Sequence, residues 1–119
     1  MAHSRCKVLV VEDDQDTRET LVEALEAVGF HVEQAGTGKA ALAFFSGEEP
    51  PHVMLLDLHL PDMNGAQVAD SLRGNQVRII FLTGDVSVRV MGLARATRLL
   101  TKPIDLDDLE SAVTEACAA

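Results

Sequence analysis

With 119 residues, 47% of them hydrophobic and 24% charged, the chain is long enough to bury a core as one domain over residues 1–119, without staples. Its net charge of −9 argues against a nucleic-acid partner, and no apolar run approaches the roughly 18 residues that a membrane helix needs. The start, MAHSRCKV, lacks the apolar stretch of a signal peptide, so a cytoplasmic location is expected.

The first apolar run, KVLVV at 7–11, reads as a strand and leads directly into Glu12, Asp13 and Asp14. Asp14 and Asp16 then read as the cap and first-turn charge of a helix whose apolar face is Leu21, Ala24, Leu25 and Val28, with Gly29 as its C-terminal cap. HVEQ at 31–34 is a second strand. GTGK at 36–39 lacks the first glycine and the hydroxyl residue of a phosphate loop, so it is expected as a turn before a second helix. GEEPP at 47–51 turns the chain into a third strand, VMLL at 53–56, which ends on Asp57. VRIIFL at 77–82 and RLL at 98–100 are the fourth and fifth strands, ending near Thr83 and Lys102. Between them, VSVRVMGLARATR is expected to hold a short or distorted helix, because VSVRV alternates like a strand and Gly92 weakens its middle. The last helix carries Leu109, Ala112, Val113 and Ala116 on one face, with Asp105, Asp107 and Asp108 near its start.

Five alternations of strand and helix predict a doubly wound parallel sheet, and nearly continuous apolar runs in the first, third and fourth strands suit a sheet covered on both faces. Cys6 and Cys117 lie near opposite ends with neither metal spacing nor a CxxC motif, and are expected as two reduced thiols. Five of the ten basic residues, Arg78, Arg89, Arg95, Arg98 and Lys102, fall in one stretch where Asp85 is the only acid.

Ligands of such sheets bind beyond the carboxyl ends of the strands, where strand order reverses. With order 2-1-3-4-5, the first and third strands are neighbours, and Glu12, Asp13 and Asp57 converge there. Bare, these carboxylates repel one another; a hard divalent cation resolves this, and oxygen-only ligands favour Mg²⁺. With Thr83 and Lys102 at neighbouring strand ends, the set forms a site for a phosphoryl group in which an aspartate attacks phosphorus.

The motifs VVEDD, LLDLHLPDMNG, FLTGD and LLTKP, in this order from about Lys7 to Ala116, resemble the receiver domain of two-component response regulators, a CheY-like family with a flavodoxin-like fold. The resemblance implies that Asp57 accepts a phosphoryl group from a phosphohistidine on a histidine kinase or histidine phosphotransfer protein. It implies that Asp13 binds Mg²⁺ directly, that Glu12 acts through water, and that the backbone carbonyl of His59 is a further ligand. Thr83 then bonds a phosphoryl oxygen, Lys102 pairs with it, and the Lys102–Pro103 peptide is cis. Such a domain catalyses its own phosphotransfer and slow hydrolysis without being a conventional enzyme. The position of the family's aromatic switch residue is taken by Leu99, which, with the TGD sequence, is similar to receivers of hybrid kinases. His59 and Asp85 occupy the rim positions that influence access of water. The chain is expected as a stand-alone regulator or as part of a longer protein, with its downstream partner or output domain open. Two other classes are a pseudo-receiver, a docking module indifferent to phosphate, and a phosphatase of the haloacid dehalogenase type. The latter needs a second acid where His59 stands.

Overall fold

A computed structural model describes residues 6–84 and 96–118. Five strands, β1 (Lys7–Val11), β2 (His31–Ala35), β3 (Val53–Asp57), β4 (Arg78–Thr83) and β5 (Ala96–Thr101), form one parallel sheet in the order β2-β1-β3-β4-β5. The described helices are α1 (Gln15–Ala27), α2 (Gly38–Ala43), α3 (Gly65–Ser71) and α4 (Leu106–Ala118). This is the doubly wound parallel sheet expected from the alternation of patterns, in the strand order of the flavodoxin-like fold that the resemblance implied.

The continuous apolar strands follow from burial on both faces. Alternate residues Val8, Val10, Val53, Leu55, Ile80 and Leu82 pack with Leu21, Val22 and Leu25 of α1 and with Leu109, Ala112, Val113 and Ala116 of α4. The intervening residues Leu9, Val11, Met54, Leu56, Ile79 and Phe81 pack with Ala41 of α2 and with Val68 and Ala69 of α3. Period-two alternation thus feeds two separate cores, and in the central three strands polar residues stand only at the ends, as Lys7, Asp57, Arg78 and Thr83 do. β2, at an edge, is only partly buried, as its mixed sequence suggests.

The caps are largely local. Asp14 caps α1 by accepting from the Thr17 N–H at 2.9 Å, and Asp16 lies in the first turn, both as expected. Gly29 follows α1 with a φ of +99°. The buried face of α1 differs from the expectation at one end. Val28 is 37% exposed, while Val22 is buried. Its Cα lies past the last helical turn, and Phe30, whose N–H bonds the Leu25 carbonyl, fills the buried position instead. β5 is longer than the RLL core, beginning at Ala96, with a register irregularity opposite Ile79 and Ile80. The helix expected between β4 and β5, together with Asp85, Arg89 and Arg95, lies outside the described residues.

Cys6 and Cys117 are joined in a disulfide, with their Cα atoms 5.9 Å apart, which corrects the expectation of two reduced thiols. The reason is topological. α4 packs against α1, β3 and β4, and its last turn comes alongside the residue that precedes β1. The two ends of the sequence meet although 111 residues separate them.

Candidate functional site

Parallel register sets the carboxyl ends of the strands level. Val11 lies opposite Leu56, so Glu12 and Asp57 emerge side by side from neighbouring strands. Asp57 lies opposite Leu82, Thr83 lies opposite Thr101, and the Lys102 N–H continues the ladder by bonding the Thr83 carbonyl at 2.7 Å. Four strand ends therefore deliver Glu12, Asp57, Thr83 and Lys102 to one crevice, between β1 and β3 where the strand order reverses.

Glu12 and Thr83 are fully buried, and Asp57 is 3% exposed. Lys102, 28% exposed at its side chain, bridges the two buried acids: its Nζ lies 2.6 Å from Glu12 Oε1 and 3.0 Å from Asp57 Oδ2. The other oxygen of Asp57, Oδ1, accepts the His59 N–H at 2.9 Å. Asp13 is exposed, and carboxylate oxygens of Glu12, Asp13 and Asp57 lie within 4.8 Å of one another. Three ionised carboxylates around one ammonium leave an excess of two negative charges, and with Glu12 and Asp57 buried this favours a cation or protons joining them.

Ionisation reflects this crowding. Burial, then the neighbouring Asp57 carboxyl, pushes Glu12 up to about 7 against the pull of Lys102. For Asp57, burial acts upward but is outweighed by the bonds from Glu12, the His59 N–H and Lys102, which hold it below the ordinary carboxylate range. Lys102 is likewise desolvated, yet its two acidic partners raise it. Glu12 Oε2 is buried and has no hydrogen-bond donor in reach unless a proton is shared with Asp57. A buried oxygen without a partner on a residue of an acidic cluster is an environment a hard dication fits, with Glu12, Asp13 and Asp57 as oxygen donors.

Several supports of the site were not read from the sequence. Arg18 of α1 donates from Nη1 to the Glu12 carbonyl at 2.8 Å and from Nε to Gln34 Oε1 at 2.9 Å, tying the end of β1 to β2. The loop after β3 is closed by a capping box, in which Gln67 N–H bonds Asn64 Oδ1 at 2.8 Å and Asn64 N–H bonds Gln67 Oε1 at 3.0 Å. The signal was present as N-x-x-Q in NGAQ. Gly65 is required where it stands: a Cβ there would lie 2.6 Å from the Asp57 carbonyl oxygen and 3.0 Å from Leu58 Cα.

The peptide between Lys102 and Pro103 is cis, as expected. The His59 imidazole is exposed at the rim, and its expected neighbour Asp85 lies outside the described residues. Leu99 is partly buried against the core that contains Phe81, its partner across the ladder.

A profile of the response regulator receiver domain matches residues 8–114. Response regulator receiver protein CpdR of Brucella abortus is 34% identical over 110 residues, covering 87% of this chain and 89% of that protein. The sensor histidine kinase AtsR of Burkholderia thailandensis is 34% identical over 120 residues, covering 94% of this chain and 20% of the kinase. Among solved structures, the response regulator TrrA of Thermotoga maritima, in complex with Mg²⁺ and BeF, matches with a TM-score of 0.83 at 30% identity, covering 93% of this chain and 98% of that one.

Proposed function

The chain belongs to the response regulator receiver family, and from that premise we propose that Asp57 accepts a phosphoryl group from a phosphohistidine on a histidine kinase or histidine phosphotransfer protein. Receiver domains are signalling domains, and this one acts as the substrate and catalyst of its own modification. The observation that carries the reading is Asp57 itself: a carboxylate 3% exposed at the end of a buried strand, held below the ordinary carboxylate range by Glu12, the His59 N–H and Lys102.

In the proposed reaction an oxygen of Asp57 attacks phosphorus, the P–N bond breaks, and the imidazole leaves with the electron pair and takes up a proton. Lys102 is the cation of the site. Its ammonium reaches both Glu12 and Asp57, so a short movement brings it to an oxygen of the transferring group while the charge on Asp57 is consumed. Thr83, at the end of β4, presents its hydroxyl from the neighbouring strand to the same group. Glu12, Asp13 and Asp57, with the His59 carbonyl, would hold Mg²⁺, which supplies positive charge to the phosphoryl oxygens and relieves the repulsion among the acids. TrrA, with Mg²⁺ and BeF in its complex, is a relative in keeping with this assignment. The reading carries a cytoplasmic location with it, and the likenesses to CpdR and AtsR suit either a small regulator or a receiver within a hybrid kinase.

The test is incubation with acetyl phosphate and Mg²⁺, followed by intact mass. The wild-type chain gains one phosphoryl group and Asp57→Asn gains none. A wild-type chain that stays unmodified would favour a docking module indifferent to phosphate.

A further inference from the structure

The loop between β3 and α3 is anchored twice, and its second anchor lies far from Asp57 in sequence. At its base, His59 N–H bonds Asp57 Oδ1, His59 bridges Asn64, and Gly65 N–H bonds the Leu58 carbonyl at 2.9 Å. At its tip, Asp62 reaches over to α2. Its Oδ1 accepts the Gly38 N–H at 2.8 Å and its Oδ2 accepts the Lys39 N–H at 2.9 Å. Those two donors hold the Asp62 carboxyl below the ordinary carboxylate range.

The N–H groups of Gly38, Lys39, Ala40 and Ala41, in the first turn of α2, all have acceptors. Ala40 N–H bonds Thr37 Oγ1 at 3.0 Å and Ala41 N–H bonds the Thr37 carbonyl at 3.1 Å, so Asp62 supplies the two acceptors that local sequence does not. α2 has only six residues, too few to be stable alone, and depends on such tertiary partners. The seam is close-packed beside the bonds. A Cβ on Gly38 would collide with the Met63 side chain and lie 3.1 Å from Val68 Cγ2. A continuous path therefore runs from Asp57 through the His59 backbone and the loop tip to α2.

We infer that Asp62 is a positioning residue: its bidentate cap on Gly38 and Lys39 latches α2 to the loop that presents the His59 backbone, so that cation binding beside Asp57 and order at the start of α2 are coupled. The inference rests on the assignment of the Glu12, Asp13 and Asp57 cluster as a Mg²⁺ site. Coupling is reciprocal. If the latched loop binds the cation more tightly, the cation must tighten the latch by the same factor.

The test uses the whole oxidised chain and two readouts by ¹H–¹⁵N NMR: Mg²⁺ affinity from amide shifts on titration with MgCl₂, and amide exchange at Gly38 and Lys39. Asp62→Ala is expected to weaken Mg²⁺ by about five-fold or more, within the ordinary range of coupling between sites. Asp62→Asn, with one acceptor left, falls between. In the wild type, saturating Mg²⁺ slows exchange at Gly38 and Lys39 by a factor matching the affinity loss. Fast exchange in Asp62→Ala with Mg²⁺ affinity unchanged within two-fold makes the cap purely structural and overturns the inference. Should Asp62→Ala fail to fold, the wild-type exchange experiment decides, and exchange indifferent to Mg²⁺ overturns it. A wild type that binds no Mg²⁺ at all refutes the metal assignment first, and the coupling with it; the titration alone shows this.

Discussion

Reducing the Cys6–Cys117 bridge opens a loop spanning nearly the whole chain, and its cost follows from the separation of 111 residues. In the chain-entropy treatment, closing a loop of that length removes about 16 cal/mol/K from the unfolded ensemble, or about 5 kcal/mol at 25 °C. A chain of 119 residues unfolds with an entropy of about 250 cal/mol/K near its midpoint, so the reduced protein should melt roughly 15–20 °C below the oxidised one. The native state has little to regain on reduction, because Cys6 is buried at the margin of the core and Cys117 packs beside it. The assay is thermal or urea unfolding with and without a thiol reductant, with a Cys6→Ser, Cys117→Ser double variant as control. Thiols are counted in the denatured, non-reduced protein. No free thiols with midpoints differing by less than about 2 °C would refute the entropic reasoning, since that shift corresponds to well under 1 kcal/mol. Two free thiols would show that the bridge does not form in solution. The result also bears on location, because stable disulfides are rare in a reducing cytosol.

Three further outcomes are expected. In metal-free buffer the folded state holds a proton on Glu12 more tightly than the unfolded chain does, so this group stabilises the fold below about pH 4.5 and that contribution is lost as pH rises through about 7. The loss is on the order of 3 kcal/mol, it is absent in Glu12→Gln, and urea midpoints across this window that fall equally in both proteins would contradict the assignment. Gly65→Ala forces a methyl group against the Asp57 carbonyl and should cost about 1–3 kcal/mol, with slower phosphorylation from acetyl phosphate; unchanged stability would mean the loop yields freely. Asp14→Ala removes the cap of α1 and should lower stability by about 0.5–2 kcal/mol by urea unfolding, while Asp16→Ala, which caps nothing, changes it less.

Much of this molecule was legible because its information is local. An apolar run followed at once by an acid, a hydroxyl or a lysine is a strand and its carboxyl end, and parallel strands must bring such ends to one edge. Glu12, Asp57, Thr83 and Lys102 could therefore be gathered from VVED, LLD, FLT and LLTK before any coordinates. The same holds for the cap at Asp14 and the buried stripe of α4. What only the tertiary structure decided are contacts between segments that carry no mutual signal. Cys6 meets Cys117 because α4 returns beneath the sheet, and Asp62 meets Gly38 because the loop after β3 folds over α2. Phe30 is buried where Val28 was expected, because the chain turns after α1 and the Phe30 N–H returns to the Leu25 carbonyl. Periodicity reports which face of an element is apolar, and strand order reports which ends are neighbours. The approach of two distant polar groups within hydrogen-bond distance depends on loop paths and helix placement, which are set by packing over the whole domain.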